Sequence, residues 1–184
     1  MAIKSTIFKA ELALADMTRG LYRDFSLTLA RHPSETDERM MVRLLAFALH
    51  AGDSLSFGRG LSTEDEPDLW ERDLTGSVVR WIDVGLPDER DVRKALGRAN
   101  EVDVYAYGGR AVDLWWGKAR AKLETQPRLA VMQLPLDSTR ALAQLASRSM
   151  KLTCSIDEGS VMLADSASAV SIELVPLKPR SGAS

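Results

Sequence analysis

The seven residues Val78 to Val84, Val-Val-Arg-Trp-Ile-Asp-Val, constrain this chain more than any other stretch. β-branched and aromatic residues dominate the run, and they occupy both alternation parities. A strand of that kind is covered on both faces and lies inside a sheet, not at its edge. Asp83 shares its parity with Val79 and Trp81. A carboxylate placed there needs a polar partner or a metal ion, so it is the first candidate functional residue.

The flanking segments supply the layers. Ser34 reads as a helix N-cap with Asp37 three residues on, and Met40, Met41, Leu44, Leu45, Ala48 and Leu49 follow at helical spacing before Gly52. Short extended pieces cover Ser54–Gly58 and Leu69–Asp73, the second preceded by the acidic stretch Glu64-Asp65-Glu66-Pro67-Asp68. After Gly85-Leu86-Pro87, Asp88 caps a helix with Val92, Ala95, Leu96 and Ala99 on one face, and Val102–Tyr107 is a further strand. The central order is therefore α-β-β-β-α-β. An opening hairpin precedes it, Ile3–Leu14 with Leu21–Leu29. Helices at Arg110–Glu124 and from Asp137 to Ala146 follow it. Strands at Leu129–Leu134, Met150–Ile156, Ser160–Ala164 and Val170–Val175 complete the chain. The expected class is α/β (α+β), a mixed sheet with flanking helices. The hairpin and C-terminal strands should extend or flank it, and the 179–184 tail should be frayed.

Composition narrows the functional classes. The hydrophobic fraction is 45% and the charged fraction 27%, as in globular domains. At 184 residues one domain over about 1–178 is expected. A formal net charge of −2 provides no global attraction to nucleic acid or to an anionic membrane. No apolar run approaches the ~18 residues of a membrane helix, and no secretory leader is evident, so a cytoplasmic location is expected. Cys154 is the single cysteine, and with two histidines it makes no structural zinc set. Trp115 and Trp116 fall at helical spacing with Val112 and Ala119, which favours packing over base stacking.

Carboxylates at the ends of adjacent strands can share a divalent cation, and a third acid from the first helix can complete the oxygen shell. Two motifs carry a resemblance that bears on this arrangement. Arg31-His32-Pro33-Ser34-Glu35-Thr36-Asp37-Glu38-Arg39-Met40-Met41 resembles a signature of the bacterial YaeQ family. So does Trp81-Ile82-Asp83-Val84-Gly85-Leu86-Pro87-Asp88-Glu89, followed by Lys94. The similarity extends from the opening hairpin to the final strands.

The resemblance implies a divergent branch of the PD-(D/E)XK, restriction-endonuclease-like fold, with its core at about 33–108. Asp68 then matches the first acid of that pattern, with Glu66 as its substitute. Asp83 matches the second acid, and Glu38 the acid of the first helix. Gly85 stands where the pattern has lysine, and Lys94 on the following helix is the candidate replacement. The implied activity is a nuclease-like, metal-dependent phosphodiesterase using Mg²⁺ or Mn²⁺. Here Glu38, Asp68, Asp83 and Lys94 would be catalytic, and Glu38, Glu66, Asp68 and Asp83 would hold the metal. The alternative is a non-catalytic domain of the same fold that binds a nucleic-acid or protein partner. Arg110, just after the Val102–Tyr107 strand, is a second cation that could clamp phosphate.

Overall fold

A computed structural model describes residues 4–59 and 65–182 of the chain. Ile3, where the first strand was expected to begin, and Glu64 of the acidic stretch lie outside the described residues. In chain order the elements are β1 (Thr6–Asp16), β2 (Leu21–Arg31), α1 (Asp37–His50), β3 (Leu55–Phe57), β4 (Leu69–Arg72) and β5 (Val78–Val84). They continue with α2 (Glu89–Leu96), β6 (Ala99–Ala106), α3 (Arg110–Leu123), β7 (Leu129–Gln133) and α4 (Leu136–Gln144). The chain ends on β8 (Ser149–Asp157), β9 (Ser160–Ala164), β10 (Ala169–Glu173) and β11 (Val175–Lys178). The class is mixed α and β, with two mixed sheets.

One sheet has the order β11-β7-β6-β5-β4-β3. β3, β4 and β5 form an antiparallel meander, and β6 joins β5 in parallel. β5 thus lies inside the sheet, as its apolar run requires. The opening hairpin does not extend this sheet. It forms a second one, β10-β9-β8-β1-β2, in which β1 runs parallel to β8 and the remaining pairs are antiparallel.

α1 packs with residues of both sheets in one continuous core. Every residue from Met40 to Ala48 is buried, so the helix is apolar all round and not along a single stripe. Phe47 and Val42, off the expected stripe, are buried with Met41 and Leu44. The one charge in that stretch is Arg43, 2% exposed, and it forms a two-pronged pair with Glu35, with Arg43 Nη2–Glu35 Oε1 at 2.6 Å and Arg43 Nε–Glu35 Oε2 at 2.9 Å. The other face of the six-stranded sheet is covered by α2 and α3, where Trp81, Val92, Ala95, Val104, Ala119 and Leu123 form a separate core.

Several expected boundaries shift for identifiable reasons. Thr36, not Ser34, caps α1 by accepting from the Arg39 amide, and Ser34 Oγ lies 2.6 Å from His32 Nδ1 instead. Pro135 occupies the N-cap of α4, which places Asp137 in its first turn. Asp88 caps α2 as expected, accepting from the Arg90 amide at 2.8 Å. The C-terminal strand is two strands, and only the first joins the hairpin's sheet. The tail, expected to be frayed over 179–184, is tied down at Arg180 and Ser181. Arg180 Nη2 donates to Asp103 at 3.0 Å, and the Ser181 amide donates to Pro127 O at 3.1 Å.

Candidate functional site

The register of the meander decides what meets at one end of the sheet. β4 and β5 pair Leu69 with Ile82, which places Asp68 beside Asp83 at the next step of the ladder. Asp68 is fixed on both oxygens. Oδ1 accepts from Arg39 Nη2 at 2.8 Å, and Oδ2 accepts from the Val84 amide at 2.8 Å. Gly58 holds the approach to Asp68: its amide donates to the Asp68 carbonyl at 2.9 Å. A Cβ at position 58 would lie 1.9 Å from the Pro67 carbonyl oxygen, so only glycine fits.

Asp83 points to the α2 side and accepts from Trp81 Nε1 at 3.0 Å. Burial pushes its carboxyl up to about 7, and the charge of Asp68 adds to the rise. Two carboxylates forced together in this way leave a surplus of negative charge that a proton or a cation relieves.

Both acids line a cleft of about 670 Å³ between the end of β5, α2 and the start of α3. Arg39, Glu66, Lys94, Arg98, Tyr107 and Asp91 line it too. Arg39 bridges Glu35 (2.7 Å) and Asp68 (2.8 Å). Burial opposes its charge, but the two carboxylates more than compensate, so the guanidinium is held above its ordinary range. Tyr107 is pushed up to about 12, chiefly by burial.

Of the residues singled out in the sequence, Glu66, Asp68, Asp83 and Lys94 come together at this cleft. Glu38 lies half-buried in the first turn of α1 and is not among the cleft's lining side chains. Lys94 sits at the rim, where its Nζ donates to Asp65 at 2.9 Å. Arg110 is exposed and outside the lining. Trp115 and Trp116 are half-buried and pack against the α2–α3 core, and Trp115 Nε1 donates to the Pro87 carbonyl at 2.6 Å. Among the described residues no three His, Cys, Asp or Glu side chains are grouped to cage a metal ion. Gly85 has φ of +100°, in the left-handed region, so a lysine at that position would be strained.

Sequence reasoning missed Arg39, Arg43 and Glu35 as a unit. Part of their signal was present: Arg39 and Arg43 lie four residues apart and share one side of α1, and Glu35 stands just before its N-cap Thr36.

A family model described as YaeQ protein matches residues 1–174. The chain belongs to the YaeQ family. The relative named "Uncharacterized protein YaeQ" in Salmonella typhi is 43% identical over 174 residues, spanning 95% of this chain and 96% of that protein. Its namesake in Escherichia coli (strain K12) is 41% identical over the same shares. The crystal structure of the YaeQ protein from Xanthomonas axonopodis pv. citri superposes with a TM-score of 0.92 at 48% identity, over 95% of this chain and 98% of that one. That of the YaeQ protein from Pseudomonas syringae gives 0.91 at 39% identity, over 95% and 97%. The YaeQ architecture therefore includes both sheets. Among the described residues no helix is long and apolar enough to cross a membrane.

Proposed function

We propose that the cleft is a Mg²⁺-assisted phosphodiester site of the PD-(D/E)XK type, acting on nucleic acid. The observation that carries this reading is the pair Asp68–Asp83, held side by side on adjacent strand ends, with the Asp83 carboxyl near 7. Two carboxylates suit Mg²⁺ or Mn²⁺ in such a site. Mg²⁺ keeps several waters and is commonly held by one or two carboxylates plus substrate phosphate, whereas Ca²⁺ prefers a larger oxygen cage. Asp68 and Asp83 would hold the ion, with Glu66 lining the same cleft. When bound, such an ion stabilises the charge that develops on a phosphodiester attacked by water.

The chain's own residues do the remaining work. Arg39, anchored by Glu35, keeps Asp68 oriented and presents a fixed cation at the cleft wall. The Asp83 carboxyl, pushed up to about 7 by burial and by the charge of Asp68, would give up its proton to hold the ion, so metal binding should strengthen as pH rises past 7.

One observation favours a second reading, binding without turnover. Glycine stands at position 85 in a conformation that disfavours lysine, and Lys94 is engaged by Asp65 at the rim. Two measurements separate the readings. Mn²⁺ binding, followed by the loss of its free EPR signal at pH 8, should weaken at least ~tenfold in Asp83→Asn, since the variant removes one of the two carboxylates that would hold the ion. Purified protein is then incubated with single- and double-stranded DNA and RNA in Mg²⁺ or Mn²⁺. Cleavage that is lost in Asp83→Ala supports the first reading. Metal binding without cleavage supports the second. Metal affinity unchanged in Asp83→Asn rejects the metal site.

A further inference from the structure

At the rim of the cleft an anionic side chain is held by cations from the opposite wall. Lys94 Nζ lies 2.9 Å from Asp65 Oδ1, and Arg98 Nη2 lies 3.6 Å from the same oxygen. Arg98 Nη1 also donates to the Asp65 main-chain carbonyl at 3.2 Å. Two oxygens of one residue are thus gripped by three nitrogens of a lysine and an arginine spaced four residues apart. Those two cations line the same cleft as Asp68 and Asp83.

We propose that Lys94 and Arg98 form a subsite for a backbone phosphate of a nucleic-acid strand, and that Asp65 occupies it in the free protein as a stand-in for the phosphate. The identification of the ligand as nucleic acid rests on the phosphodiester reading of the cleft; the anion subsite itself does not.

Three features support the exchange. The pair is exposed, with Lys94 at 53%, Arg98 at 43% and Asp65 at 73%, and exposed pairs of this kind are weak and replaceable. A phosphate offers more acceptor oxygens and at least equal charge, and arginine's fork suits it better than it suits a single carboxylate oxygen. Lys94 Nζ and Arg98 Nη2 both face the single Asp65 Oδ1, so the two cations converge on the point where a phosphate oxygen would sit. Asp91 and Glu66 face the same cleft and limit its pull on polyanions, so the competition is decided locally.

The test uses fluorescence anisotropy of a labelled single-stranded oligonucleotide at low salt in EDTA, so that metal binding plays no part. Asp65→Asn should bind about threefold tighter, as expected when a weak surface ion pair is released. Lys94→Ala with Arg98→Ala should bind more weakly and should flatten the dependence of log affinity on log salt by ~1–2 units, the two phosphate contacts removed. Inorganic phosphate and pyrophosphate serve as competitors. Displacement by either at millimolar concentration would assign the subsite to free phosphate and overturn the nucleic-acid assignment. Unchanged or weaker binding in Asp65→Asn, or wild-type binding in the double variant, overturns the subsite. So does a complete lack of binding by all forms, and Mn²⁺ binding at Asp68–Asp83 would then still stand or fall on its own measurement. Circular dichroism of these exposed-site variants should match the parent.

Discussion

Replacing Glu35 by Gln should be among the most destabilising conservative changes available to this chain. Glu35 is 6% exposed and accepts from three guanidinium nitrogens, two of Arg43 and one of Arg39. Arg43 is 2% exposed in the middle of an otherwise apolar helix. Its remaining contact through Nη2 is the Ala30 carbonyl at 3.1 Å, a dipole that does not balance its charge. A buried ion pair contributes little net stability against an apolar replacement, but removing one partner leaves a buried charge uncompensated. The expected cost of Glu35→Gln is about 3–5 kcal/mol. Because the cost comes from the stranded charge, Glu35→Leu combined with Arg43→Met should be less destabilising than Glu35→Gln alone. Urea denaturation followed by tryptophan fluorescence gives both values, with slopes compared to confirm a two-state transition. A Glu35→Gln cost below about 1 kcal/mol, or a double variant less stable than the single one, would refute the argument that this pair balances a charge inside the core.

Gly58→Ala should destabilise by about 1–3 kcal/mol by overpacking against the Pro67 carbonyl, and should weaken Mn²⁺ binding by displacing Asp68. Urea melts and Mn²⁺ titration read the two effects. Asp83→Asn should stabilise the protein at pH 8 and not at pH 4: the folded carboxyl titrates near 7 against an ordinary 3.8, so wild-type stability contributed by its protonated form is present below pH 4 and lost as pH rises toward 7. His50, lowered to about 4 by burial, acts in the opposite sense between pH 4 and 6.5, so the difference between variant and parent isolates Asp83. Burial raises the Cys154 thiol to about 12, so it should resist a disulfide reagent in native protein at pH 8 and react fully in urea.

Much of the architecture was legible because it rests on local signals. The β5 run, the α2 stripe with its Asp88 cap and the Gly85 turn all depend on residues adjacent in the chain. The second sheet was not legible. β1 pairs with β8 in parallel, Leu12 beside Leu152, and nothing in either strand's alternation names a partner so distant in sequence. The burial of α1 on all sides was visible in principle, since Val42, Ala46 and Phe47 fill positions off the stripe, but Arg43 and Arg39 disguised it as an amphipathic surface helix. At the site, Asp68 and Asp83 were identifiable from the motif and are adjacent by register. Lys94 reaches the cleft rim even though it lies off the apolar stripe of α2, because a long side chain can turn toward a neighbouring loop. Arg98 and Asp65 carried no sequence signal, since their pairing depends on how the loop before β4 returns past α2.

The same residues explain why the hairpin sheet matters to the cleft although no cleft-lining residue comes from it. A chain of charge-assisted contacts runs from the Ala30 carbonyl in β2 to Arg43, Glu35, Arg39 and Asp68, and ends on the Val84 amide in β5. Each link is 3.1 Å or shorter. With every residue from Met40 to Ala48 buried, α1 needs a second cover on the side away from the six-stranded sheet, and the hairpin sheet supplies it. Once covered, α1 is held in rotation and height by packing on both sides. Arg39 then reaches Asp68 from a fixed origin, while β5 reaches it through the Val84 amide. Asp68 is positioned by two elements that move independently only if the core between the sheets opens. Core substitutions on the hairpin side, such as Leu29→Ala, should therefore loosen the cleft as well as the fold. Leu29 is fully buried one residue before Ala30, and its loss at about 2–5 kcal/mol would be expected to lower Mn²⁺ affinity without touching the cleft. Unchanged affinity in a folded Leu29→Ala protein would show that α1 holds Arg39 without help from the second sheet.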